Sequence, residues 1–134
     1  MIPKTNSILN TEINQEIQPS KNYKMDFAEE RINGFWDKLS AMEQVVYKIL
    51  NTQRYENQIY SWNYGIELDD LFGEPISYVC PEIKRRIVEA LTQDERINTV
   101  DEFVFDTSKK GSVLVSFRVH TIFGDVNSQK AVKF

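Results

Sequence analysis

A chain of 134 residues with 41% hydrophobic content is long enough to bury one core and too apolar to be globally disordered. Its net charge of −4 excludes the broad basic footprint of a nucleic-acid binder, and no apolar run approaches the ~20 residues of a membrane-crossing helix. One cysteine, Cys80, excludes an internal disulfide; with one histidine, His120, it leaves a transition-metal site short of donors.

The N-terminus carries Lys4 but no apolar stretch of a secretory signal, so synthesis and use in a cytoplasm are expected. Residues 1–20 read as a polar, flexible arm ahead of one domain over 21–134. Leu9, Ile13 and Ile17 recur four apart, which also allows a weak amphipathic helix ended by Pro19-Ser20. Tyr23, Met25 and Phe27 alternate with polar residues as in a strand, and Asn33-Gly34 predicts the turn of a hairpin. A first helix is expected from about Ser40, with Ser40 and Glu43 at capping-box spacing. Leu39, Met42, Val45, Val46, Ile49 and Leu50 form its apolar stripe, with Gln44 and Lys48 on the wet side.

Residues 59–68 hold three aromatics, and Tyr60, Trp62 and Tyr64 read as core. Gly65 suits a positive φ or a close backbone approach. One helical turn over 67–71 is closed by Phe72-Gly73, and Pro75 blocks its continuation. A second long helix is expected to start at about Pro81, burying Ile83, Ile87, Val88 and Leu91. Lys84, Arg85 and Arg86 read as a solvated basic face, with a Glu82–Arg86 pair one turn apart.

From Ile97 the hydrophobic period changes to two. Phe103 and Phe105 alternate with Glu102, Val104 and Asp106, residues 108–111 make a turn, and Val113, Val115, Phe117 and Val119 line one face of the next strand. The other face of that strand is partly apolar too, which places it inside the sheet. Gly124-Asp125 turns the chain into a last, weaker strand containing Val132 and ending at Phe134, a candidate for pairing with another chain. The whole reads as an α+β domain, a mixed or antiparallel sheet with two main helices packed on one side.

No catalytic, cofactor-binding or metal-binding residue is expected. His120 reads as an ordinary half-exposed histidine, Cys80 as a small buried hydrophobe, and no glycine-rich phosphate loop occurs. Asp69-Asp70 is expected to face solvent. Asp94-Glu95 precedes Arg96, which would keep a neighbouring carboxylate ionised and so unfit as a general acid. Glu95-Arg96 at a helix-to-strand junction reads instead as a structural lock or a grip on a partner subunit.

From Pro19-Ser20 through Tyr23, Asn33-Gly34, residues 47–52, Arg54-Tyr55, residues 59–61 and 63–68, the chain resembles the XkdS-like proteins of the PBSX type. The match runs on through Leu71, Gly73, Ile83, Ile87, Ala90-Leu91, Asp94, Arg96-Ile97 and Val100. Those are small baseplate proteins of contractile phage tails and bacteriocin-like tail particles. The wider group, in T-even phages and type VI secretion systems, is similar in fold to the terminal domain of the tail sheath subunit. The resemblance implies a non-enzymatic baseplate wedge component that initiates sheath assembly by strand pairing. Its implied partners are the larger wedge proteins and the sheath subunit, with tube or hub proteins as further candidates, and neither nucleic acid nor membrane. The group's Glu, Arg and Pro signature maps onto Glu95 and Arg96 as wedge contacts, with Val100 where the Pro is expected. Val113, Val115 and Phe117, together with Val132 and Phe134, are the residues expected to serve strand pairing with sheath. A small cell-wall hydrolase of the tail and a soluble regulatory adaptor are the competing readings.

Overall fold

The computed structural model of the chain describes residues 16–17 and 19–134. Leu9 and Ile13 of the suggested N-terminal helix, and most of the arm over 1–20, lie outside the described residues.

Strands β1 (Asn22–Asp26) and β2 (Arg31–Trp36) form the expected antiparallel hairpin, but its turn falls at residues 27–30 rather than at Asn33-Gly34. Asp26 makes that turn. Its carboxylate accepts the N–H groups of Ala28 and Glu29 at 3.1 and 3.2 Å, a local bond that folds the chain back earlier. Asn33-Gly34 instead supplies a bulge: β2 carries one more residue than β1 between the pairs Tyr23↔Phe35 and Met25↔Ile32. Gly34 takes the positive φ of +73° there.

Helix α1 (Lys38–Leu50) starts two residues before the predicted capping box. Asp37 is the N-cap, accepting the Lys38 N–H at 2.7 Å and the Ser20 hydroxyl, which leaves Ser40 inside the helix. Met42, Val46, Ile49 and Leu50 are buried as expected. Gln44, expected on the wet side, is buried against β1. Its amide donates to the Tyr23 carbonyl at 2.7 Å and accepts the Met25 N–H at 2.9 Å.

The connection to the next helix is pinned at Gly65. Its φ is +89°, and a Cβ there would stand 2.5 Å from the Thr52 carbonyl oxygen. The Ile66 N–H donates to that same oxygen, and Arg54 reaches the Gly65 carbonyl at 3.1 Å. The aromatic run is not core as a whole. Tyr64 packs against the core, but Trp62 is 81% exposed and Tyr60 exposed, stacked on Tyr64 at 4.6 Å. A single 3₁₀ turn covers Asp69–Leu71.

Helix α2 (Ile76–Thr92) begins at Pro75 as N-cap, not at Pro81, which sits inside it. The Pro75 carbonyl receives the N–H groups of both Tyr78 and Val79. Burying Val79 completely contributes about 1.5–3 kcal/mol. That is comparable to the ~3 kcal/mol cost of an interior proline, so the extra turn survives. Ile83, Ile87 and Leu91 are buried and Val88 partly so. The expected basic face is largely neutralised within the chain. Asp69 and Asp70 face solvent as expected, and Arg86 grips Asp70, with one contact at 2.8 Å, and also Glu82 and the Glu67 carbonyl. Arg85 pairs with Glu82 and Glu89.

The main sheet is antiparallel in the order β3 (Ile97–Asp106), β4 (Ser112–Thr121), β5 (Gly124–Lys133). α1 packs on β5 and α2 on β3. Val113, Val115, Phe117 and Val119 of the central β4 are buried in the core with residues of both helices. The result is a single α+β domain with two helices on one side of an antiparallel sheet.

Candidate assembly surfaces

Three surfaces carry the features that sequence reasoning singled out. The first is the corner where α2 hands over to β3. Residues 93–96 leave the helix in a turn, and the Asp94 carboxylate folds back over the chain. It accepts the Arg96 main-chain N–H at 3.0 Å and both Nε and Nη2 of the Arg96 guanidinium, at 2.9 and 2.7 Å. Both side chains are mostly buried. Burial pushes the Asp94 carboxyl up, but the Arg96 guanidinium and main-chain N–H outweigh it and hold the group below the usual carboxylate range. Of the two carboxylates expected to be held ionised by Arg96, it is Asp94 that the guanidinium grips, while Glu95 stands exposed beside them. An acid two residues before an arginine, just past a helix end, was the available signal.

The second surface is the pair of sheet edges. β4 is paired on both sides, so Val113, Val115 and Phe117 lie on an internal strand with its backbone engaged by β3 and β5. Val132 and Phe134 lie at an edge. Among the described residues, β5 has no strand partner beyond β4. Its register runs unbroken through all ten residues, from Gly124↔Thr121 to Lys133↔Ser112. The Phe134 N–H donates to the Gly111 carbonyl, and bonded pairs alternate along an antiparallel ladder. Hence the even-numbered residues of β5 bond to β4. Asp125, Asn127, Gln129, Ala131 and Lys133 turn their N–H and C=O groups outward. The far end of this edge opens on a groove of about 280 Å³, lined by Lys130 to Lys133, Asn51, Gln53, Leu68 and Phe72 among others. The β3 edge differs: its register slips between Asp101 and Val104, where Glu102 takes a φ of +54°.

The third surface is the sheet face opposite the helices. Arg118 bridges β3 and β5, reaching Glu102 and Asn127 at 3.2 Å each. His120 does the same one row along. Its Nδ1 lies 2.7 Å from Asp125 and its Nε2 2.8 Å from Asp101. His120 is thus engaged on both ring nitrogens, where an unremarkable histidine was expected. The carboxylates of Asp125 and Asp101 raise it above the usual imidazole range. Burial raises the Cys80 thiol, which disfavours the nucleophilic thiolate.

Among the described residues, no group of three or more His, Cys, Asp and Glu side chains is placed to hold a metal ion. Nor, among the described residues, is any helix long and apolar enough to cross a membrane. The arrangement offers backbone edges, a locked corner and a charged face, the equipment of assembly. Comparison with known proteins points the same way. Residues 9–124 match the family model described as contractile injection system sheath initiator. The phage-like element PBSX protein XkdS of Bacillus subtilis (strain 168) is 39% identical over 121 residues, covering 87% of this chain and 84% of that protein. On both counts the chain belongs to the contractile injection system sheath initiator family.

Proposed function

We propose that this protein is a structural baseplate component of a contractile phage tail or tail-like particle, made in the bacterial cytoplasm, that starts the sheath by offering a strand edge. The carrying observation is the β5 edge: ten residues in unbroken register, without proline or bulge, and with no strand neighbour among the described residues. Such an edge is normally blunted in a protein that works alone. Here it is available for β-addition, in which main-chain hydrogen bonds supply affinity without special side chains. In this reading a sheath segment pairs along β5, near Val132 and Phe134. Val113, Val115 and Phe117 support that edge from the strand behind it. The Asp94–Arg96 corner, with exposed Glu95 beside it, faces the larger wedge subunits.

The test is seeding of purified sheath subunits by this protein, followed by light scattering and electron microscopy. Ala131→Pro removes an outward-facing N–H while leaving the ladder to β4 intact, so it should fold and fail to seed. A folded Ala131→Pro protein that seeds like wild type would remove β5 from the mechanism.

A further inference from the structure

The bridge at His120 has a chemical requirement that the Arg118 bridge lacks. A neutral imidazole carries one N–H and one lone pair, so it can donate to only one of two carboxylates. With oxygens of Asp101 and Asp125 at 2.8 and 2.7 Å from its two nitrogens, one contact in the neutral form sets a lone pair against a carboxylate oxygen. Only the imidazolium donates to both. We propose that His120 is a proton-operated tie that clamps β3 and β5 together across β4, closed when the ring is charged and open on one side when it is neutral.

The placement of the two acids gives the tie mechanical purchase. Asp101 stands immediately before Glu102, where the β3 register slips and the backbone is left-handed. Asp125 is the first outward-facing residue of β5, directly after the turn glycine Gly124. A closed tie therefore fixes the bulged stretch of one edge strand and the start of the other. The charged groups facing His120 on this side of the sheet are Asp101 and Glu102 from β3, Arg118 from β4 and Asp125 from β5. Glu102 and Arg118 neutralise each other, leaving two acids for one imidazole. α1 and α2 pack on the opposite face. The Arg96 guanidinium of the neighbouring corner is held by Asp94.

The direction of the pH dependence follows from the raised imidazole. A group protonated more readily in the folded state stabilises it fully below the unfolded value of about 6.5 and loses that contribution as pH rises through the folded value. The tie thus opens on the alkaline side of ~6.5. Its bearing on strand addition rests on the reading of β5 above, but the tie itself is measured on the free protein and stands or falls without the seeding assay.

His120 is the sole histidine, so its ring resonances are unambiguous in an NMR titration. The wild-type midpoint is expected above ~6.5, with Asp101→Asn and Asp125→Asn each lowering it and the double variant lowering it furthest. Amide-exchange protection factors at residues 101 and 126, which pair with Arg118 and Val119 of β4 on either side of the tie, should fall several-fold across the same titration. His120→Gln, which cannot titrate, should hold them constant. A wild-type midpoint at or below ~6.5, or protection factors that ignore the titration, would overturn the tie.

Discussion

Gln44 does for β1 what a neighbouring strand would do. Its side-chain amide is a peptide group in miniature, donating to the Tyr23 carbonyl and accepting the Met25 N–H. Gln44→Leu should strand both backbone groups and cost roughly 1–3 kcal/mol. Urea unfolding and faster exchange of the Met25 amide would register it. Gly65 is the least replaceable residue of the connection. Gly65→Ala meets the left-handed penalty of about 1–2 kcal/mol. It also drives a Cβ to 2.5 Å from the Thr52 oxygen, so a loss well beyond that penalty is expected in thermal unfolding. Arg96→Ala should leave a folded monomer destabilised by roughly 1–3 kcal/mol, because the mostly buried Asp94 loses its partner, and should impair assembly. Loss of the cooperative transition altogether would make Arg96 a staple of the fold rather than a contact. The role of Gly65 is readable from its neighbours, an aromatic run too irregular for a helix. That of Gln44 is not, because a helical wheel separates apolar from polar faces and cannot show that a polar face meets a hairpin.

Helices and strands were foreseen where the hydrophobic period was clean, as in α1 and β4. Their ends moved wherever a local hydrogen bond or a proline had two uses. Asn33-Gly34 fits a bulge as well as a hairpin turn, and Asp26 decided between them by closing a turn first. Pro81 fits a helix start, but complete burial of Val79 extends α2 backward to Pro75. This makes a checkable claim. Pro81→Ala restores an N–H for the helix interior at an exposed position. It should stabilise the protein by up to about 3 kcal/mol, seen as a higher urea midpoint with an unchanged slope. That Arg96 holds a carboxylate of the Asp94-Glu95 pair was legible; that the carboxylate is Asp94 and not Glu95 is another matter of element ends. It depends on how the chain turns out of α2, and residue spacing alone does not specify that turn.

At the level of the molecule, the α+β architecture and the central position of β4 were legible because strand and helix periods differ and because both faces of β4 are partly apolar. Which strand edges stay open was only half legible. Period-two patterning marks a strand, but edge or interior depends on pairing order, and the slip in β3 at Glu102 has no sequence mark beyond two adjacent acids. The family reading was carried by residues spread along the chain, such as Gly65 and Leu71, that hold this fold together rather than by any chemical site.

The unlike edges of the sheet have a consequence for growth. A molecule with two open edges could add copies of itself on both sides and run on as a fibre, whereas the broken register of β3 removes one of them. What remains has polarity. Two free copies meeting edge to edge along β5 would bury the one edge of this three-stranded sheet whose register is unbroken among the described residues, and stop as a two-fold pair. Such a protein is expected to form closed dimers at high concentration, detectable by sedimentation, and to become a one-way starting point when a foreign strand reaches β5 first.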